Sequence, residues 1–63
     1  MNTQEATRRG LTREAAAAYA GVSVYKIKAA IRDNNLVARQ HGKDIVVFRE
    51  DLDEWMNTWE VVA

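Results

Sequence analysis

Between Ser23 and Asn35 the sequence SVYKIKAAIRDNN gathers the side chains best suited to meeting an anion. At 100° per residue, Tyr25, Lys28, Ala29 and Arg32 share one helix face and Lys26 flanks it. Ile27, Ala30 and Ile31 fall on the opposite face, with Val24 at its edge. A phenol, two ammonium groups and a guanidinium can donate to phosphate oxygens and to base edges in a major groove. Arg32, nearest the C-terminal end, suits a phosphate. Tyr25, Lys26 and Lys28 suit the base-facing turn, and Val24 suits a thymine methyl. Ser23 is placed as an N-cap, and its hydroxyl with the free amides of the first turn makes a further phosphate site. A second group, Arg39, Gln40, His41, Gly42 and Lys43, reads as a polar loop around a glycine, able to put a cation into a narrow minor groove. Arg8, Arg9 and Arg13 stand before or at the start of the preceding helix and are candidate backbone contacts.

The balanced total charge conceals a division. Residues 1–49 hold all nine basic residues and four acidic ones, a net of five positive charges. Residues 50–63 hold five acidic residues and no basic one. Such asymmetry points to a polyanion partner for one side of the molecule. With 63 residues the chain is one domain at most, burying about 60% of its unfolded surface. It has no cysteine and one histidine, so disulfides and thiolate metal sites are excluded and no metal cofactor is expected. That composition is compatible with a reducing cytoplasm. No apolar run approaches a membrane span, and MNTQEATRRG lacks the apolar segment of a secretory signal. No nucleophile–base pair and no phosphate-cradling glycine loop stands out, so an enzyme is not expected.

The elements that position these side chains follow from caps and periodicity. Residues 1–10 read as a mobile polar arm, and EVVA at 60–63 as a frayed tail. Thr12 is an N-cap, Glu14 favours the first turn, and the alanines at 15–18 carry a helix to about Ala20, where Gly21 supplies a left-handed cap. Leu11, Ala16, Tyr19 and Ala20 form its expected buried side. The glycine turn YAGVS then leads into the second helix, with the spacing of a helix-turn-helix. Asn34 and Asn35 end that helix. The β-prone runs VARQ and IVVF, joined by HGKD, read as a hairpin in which Val47 points inward with Leu36 and Val46 outward. REDLDEWMNTW closes the domain as a helix with its acids at the start and Leu52, Trp55 and Met56 as its buried stripe. Trp59 continues that stripe or lies exposed. Together with Asp53 and Glu54 it is a candidate protein contact.

This order of elements predicts a small α+β fold, a winged helix-turn-helix over residues 11–59. The segment from Leu11 to Met56 resembles the excisionase family of small DNA-binding proteins, recombination directionality factors related to MerR-like winged helices. The resemblance rests on LT opening the first helix, AA within it, GVS at the turn and the basic second helix. Leu36 before the first wing strand, GK at the wing tip and REDLDEW in the closing helix complete it. The family often has glycine where Asn34 stands, proline where Val37 stands, and proline or a capping residue where Phe48 stands.

The resemblance implies an accessory role in site-specific recombination. Proteins of this family bind tandem sites in the attachment region of phages and related elements, bend the DNA, and direct an integrase toward excision. The implied partners are double-stranded DNA, a cognate integrase and neighbouring copies of the chain, in the cytoplasm of a bacterial host. The same fold serves small transcriptional regulators. The chain ends about seven residues beyond its last core position, so no dimerising coil or effector domain is expected, which favours the excisionase reading. A protein-interaction module, antirepressor-like and acting through the acidic helix, is the remaining alternative. It predicts no salt-dependent DNA affinity.

Overall fold

The computed structural model describes residues 9–62. Arg8, the rest of the expected arm up to residue 8, and Ala63 of the expected tail lie outside the described residues. The described chain runs β1 (Gly10–Leu11), α1 (Arg13–Ala20), α2 (Val24–Arg32), β2 (Arg39–His41), β3 (Asp44–Phe48) and α3 (Arg49–Asn57). The strands form one antiparallel sheet in the order β1-β3-β2. Three helices and a hairpin wing on a small sheet make the winged helix-turn-helix that the sequence predicts.

Local chemistry sets each boundary in the helical half. Thr12 caps α1, its Oγ1 accepting from the Ala15 amide at 3.0 Å, and Glu14 lies in the first turn. Gly21 ends the helix at φ 72°, where a Cβ would be strained, and its amide donates to the Ala17 carbonyl. Ser23 then caps α2, with a long 3.4 Å hydrogen bond from the Lys26 amide. Asn34 at φ 61° turns the chain out of α2, while the Asn35 and Leu36 amides return to the Ala30 carbonyl at 2.8 and 3.1 Å. The asparagine thus does what a glycine would do, because its side chain tolerates the left-handed region.

The core is small. Ile27, Leu52 and Val47 are its largest fully buried side chains, joined by Leu11, Ala16, Ala17, Ala30 and Leu36. Alanines at the facing sides of α1 and α2 allow close helix approach. Tyr19 corrects the expected buried side of α1. It is 42% exposed, and its hydroxyl donates to Asp53 Oδ1 of α3 at 2.6 Å. Alanines leave no room for a phenol ring between α1 and α2, so Tyr19 turns outward and ties α1 to α3 instead. Ile31 is only partly buried and packs at the edge of the core rather than within it.

The sheet also departs from expectation. His41 pairs with Asp44, so the hairpin loop is the two residues Gly42 and Lys43 rather than four. Gly42 at φ 64° supplies the positive φ that such a tight loop needs at its first position. Gly10, expected within the arm, lies in β1 opposite Phe48, with Leu11 opposite Val47. A Cβ on Gly10 would stand 2.9 Å from Val46 Cγ1, so glycine lets β1 approach β3 over that valine. Val46 points away from Val47 as expected, yet this cover leaves it partly buried. β3 passes into α3 without a loop. Phe48 is the extended N-cap residue and provides no side-chain cap, while Glu50 and Asp51 occupy the first turn, where the helix dipole favours them.

Ile27 and Ile31 give a stability test of this packing. Ile27→Ala removes a fully buried side chain and should cost about 2–5 kcal/mol, enough to unfold a domain of this size. Ile31→Ala should cost distinctly less. Denaturant midpoints followed by tryptophan fluorescence check the order, and equal losses would contradict the placement of Ile31 at the core edge.

Candidate nucleic-acid interface

The outward face of α2 carries the side chains that the sequence places there. Tyr25 is 71% exposed, and Lys26, Lys28 and Arg32 are exposed beside the smaller, half-buried Ala29. Val24 is half-buried and packs against the core edge. Ser23 spends its hydroxyl on its own helix as the N-cap, so an anion there would meet mainly the backbone amides of the first turn.

Tertiary structure adds a neighbour from each side. Arg13, Lys28, Ile31, Arg32 and Ile45 line one open cleft between α2, the start of α1 and β3. A second groove runs from Gly10–Glu14 to Lys43–Val46, so Arg13 borders both. Glu14 and Asp44 also line this second groove, whereas among the described residues no acidic one lines the first. Of the candidate contacts, Arg13 therefore joins the α2 face directly. Ile45 is a residue that sequence reasoning missed. The signal was present, since Ile45 stands two residues before the inward-pointing Val47 and strand side chains alternate.

The wing divides its residues between tip and base. Gln40 Nε2 donates to the Gly42 carbonyl at 3.1 Å and braces the tip, where His41, Gly42 and Lys43 are exposed. Arg39 turns back toward the protein. Its guanidinium lies 4.5 Å from the centre of the Phe48 ring and 3.4 Å from Asp51 Oδ2. Arg9 stacks on the same ring at 4.6 Å and forms a two-point contact with Glu50, at 3.1 and 2.9 Å. The Arg9 carbonyl also accepts from the Arg49 amide at 2.7 Å. Hydrogen bonding from Arg9, with its positive charge adding, holds the Glu50 carboxyl below its ordinary value, and the same pair raises Arg9. Arg9 and Arg39 are thus engaged within the fold, unlike the cations around α2.

This division defines the electrostatics. Arg13, Lys26, Lys28 and Lys43 form no ion pair among the described residues. Arg32 meets only its neighbour Asp33, at 3.3 Å on an exposed surface. The far side differs. Asp53 accepts from Tyr19, which raises the Tyr19 phenol above its usual value. Glu54 is exposed and lines a groove with Asp51, Trp55 and Val37. Trp59 lies beyond the end of α3, 40% exposed and edge-on to Trp55 at 5.0 Å. Val22 and Lys26 close an apolar cleft against these two rings.

Two further findings bear on identity. A family model described as a helix-turn-helix domain matches residues 11–59. No curated protein and no solved structure matches the chain.

The Arg9–Glu50 contact makes a pH prediction. Because the folded Glu50 carboxyl lies below its ordinary value of 4.5, the contact contributes stability in full above that value. The contribution is lost as the pH falls through the lowered folded value. Glu50→Gln should lower the melting temperature near neutral pH, and the variant and the parent should converge in acid. Parallel melting curves across that range would contradict the contact.

Proposed function

The chain belongs to this helix-turn-helix domain family, and from that premise we propose that it is an excisionase. In this reading it is a sequence-specific accessory protein that binds and bends duplex DNA and directs a partner integrase toward excision. Helix-turn-helix domains place their second helix in the major groove of DNA. Here that helix is α2, with Tyr25, Lys26 and Lys28 toward the bases and Arg32 toward a phosphate. The wing tip, His41 to Lys43, reaches the adjacent minor groove.

The observation that carries the reading is the separation of unpaired from paired cations. Among the described residues, the exposed face of α2, Arg13 and the wing-tip Lys43 have no ion pair other than that of Arg32 with Asp33, while Glu50 and Asp51 of α3 are matched to Arg9 and Arg39. The finer role draws on the resemblance in sequence. It also draws on the polarity of the chain, with a basic segment first and an acidic one last. Copies on tandem sites would meet basic flank to acidic helix, a heterologous contact that repeats along DNA. Asp53, Glu54 and Trp59 lie on the side available to a second copy or to the integrase.

A gel-shift titration on attachment-site DNA, repeated at two salt concentrations, tests this. The expected result is a ladder of complexes that prefer the site, weaken with salt and shift further when integrase is added. A single unbent complex at saturation would count against the excisionase role while leaving DNA binding intact. No shift at either salt concentration would remove the DNA-binding reading and turn attention to Trp59 and α3 as a protein-binding surface.

A further inference from the structure

The cleft between α2 and the wing is chemically unlike the helix face beside it. Its floor is the half-buried pair Ile31 and Ile45, and its rim is Arg13, Lys28 and Arg32. Those cations come from two helices, the start of α1 and the outer half of α2, and Arg13 and Lys28 have no ion pair among the described residues. Arg32 holds only the exposed contact to Asp33. An apolar floor does not suit a lone phosphate, and a cationic rim does not suit an apolar ligand. The arrangement matches a ligand that is apolar along its middle and anionic at its edges.

Resting on the DNA-binding reading above, we infer that this cleft seats the sugar–phosphate ridge between the two grooves. Arg13, Lys28 and Arg32 clasp successive phosphates, and Ile31 and Ile45 lie against the deoxyribose. A helix in one groove and a hairpin tip in the next leave that ridge between them, and the cleft is what these elements enclose. The assignment moves Lys28 from the base-reading group to the clamp. Sequence reading is then left to the first turn of α2, around Val24, Tyr25 and Lys26. Phosphate contacts fix register and carry no sequence information, whereas base contacts discriminate.

The test uses the full chain and a duplex that it selects from a random pool. Affinity is measured against salt for the parent, Arg13→Ala, Lys28→Ala and Ile45→Thr. Each lysine or arginine variant should lower the slope of log affinity against log salt by about 0.9. It should also weaken selected and random duplexes by the same factor. Ile45→Thr keeps a β-branched strand residue and should weaken binding with the slope unchanged. A scan with one neutral methylphosphonate at a time removes the dependence on variant folding. Two or three adjacent positions should weaken the parent, and the one that meets Lys28 should have no further effect on Lys28→Ala.

Unchanged slopes in Arg13→Ala and Lys28→Ala would overturn the clamp. So would a Lys28→Ala loss confined to one base pair, which would mark a base reader. An unaltered affinity in Ile45→Thr would overturn the apolar half. These results presuppose that the parent binds with a measurable salt slope. A parent that selects no duplex would overturn the DNA-binding reading itself, and this inference with it.

Discussion

Phe48 lies against the guanidinium groups of both Arg9 and Arg39, and that contact joins parts of the molecule that its core is too small to reach. The core ends at Val47 on β3, and every residue of β2 is exposed. The outer strand of the wing therefore has no buried side chain to hold it. It is held by the ladder to β3 and, at its base, by Arg39 on Phe48 and Asp51. Arg9 attaches the segment leading into β1 to the same ring and to Glu50. Two like charges against one ring would repel, but the carboxylates of the first turn of α3 neutralise them. Those carboxylates are also where the dipole of α3 favours negative charge. Phe48 thus couples the first strand, the wing and the last helix, at the N-cap position of a helix that lacks a polar cap.

This arrangement also explains how a chain of zero net charge can present a cationic surface. The acids of the closing helix are not spread evenly. Glu50 and Asp51 meet Arg9 and Arg39, and Asp53 meets Tyr19. Among the described residues, cations without an ion pair lie around α2 and the wing tip, where Arg13, Lys28 and Lys43 border adjoining clefts. Ion pairs on an exposed surface add little stability singly. Their larger effect here is to sort the cations into those that hold the fold and those left open to solvent.

Much of the helical half was legible along the chain, because its determinants are local. Thr12, Gly21, Ser23 and Asn34 act on the turns they occupy, and each does what its residue type predicts. The 3.6-residue period of α2 was enough to separate Ile27 and Ala30 from Tyr25, Lys28 and Arg32. The winged order of elements followed from those signals and the glycine of the hairpin. β1 was not legible, since two residues carry no period, and Gly10 shows its purpose only when Val46 is seen beside it. Tyr19 misled because a tyrosine on an alanine-rich helix reads as core until the narrowness of the α1–α2 contact is known.

The sequence by itself determined which side chains α2 presents and that the chain divides into a basic and an acidic portion. Both are properties of neighbours along the chain, set by helical geometry and composition. Only the tertiary structure decided which cations remain available. Arg9 and Arg39 looked equivalent to Arg13 and Lys43 in sequence, yet Arg9 lies 41 residues from Glu50 and Arg39 12 residues from Asp51. Pairing over such separations depends on where the sheet brings the strands. Coulomb attraction acts through space, and its partners cannot be read from position along the chain.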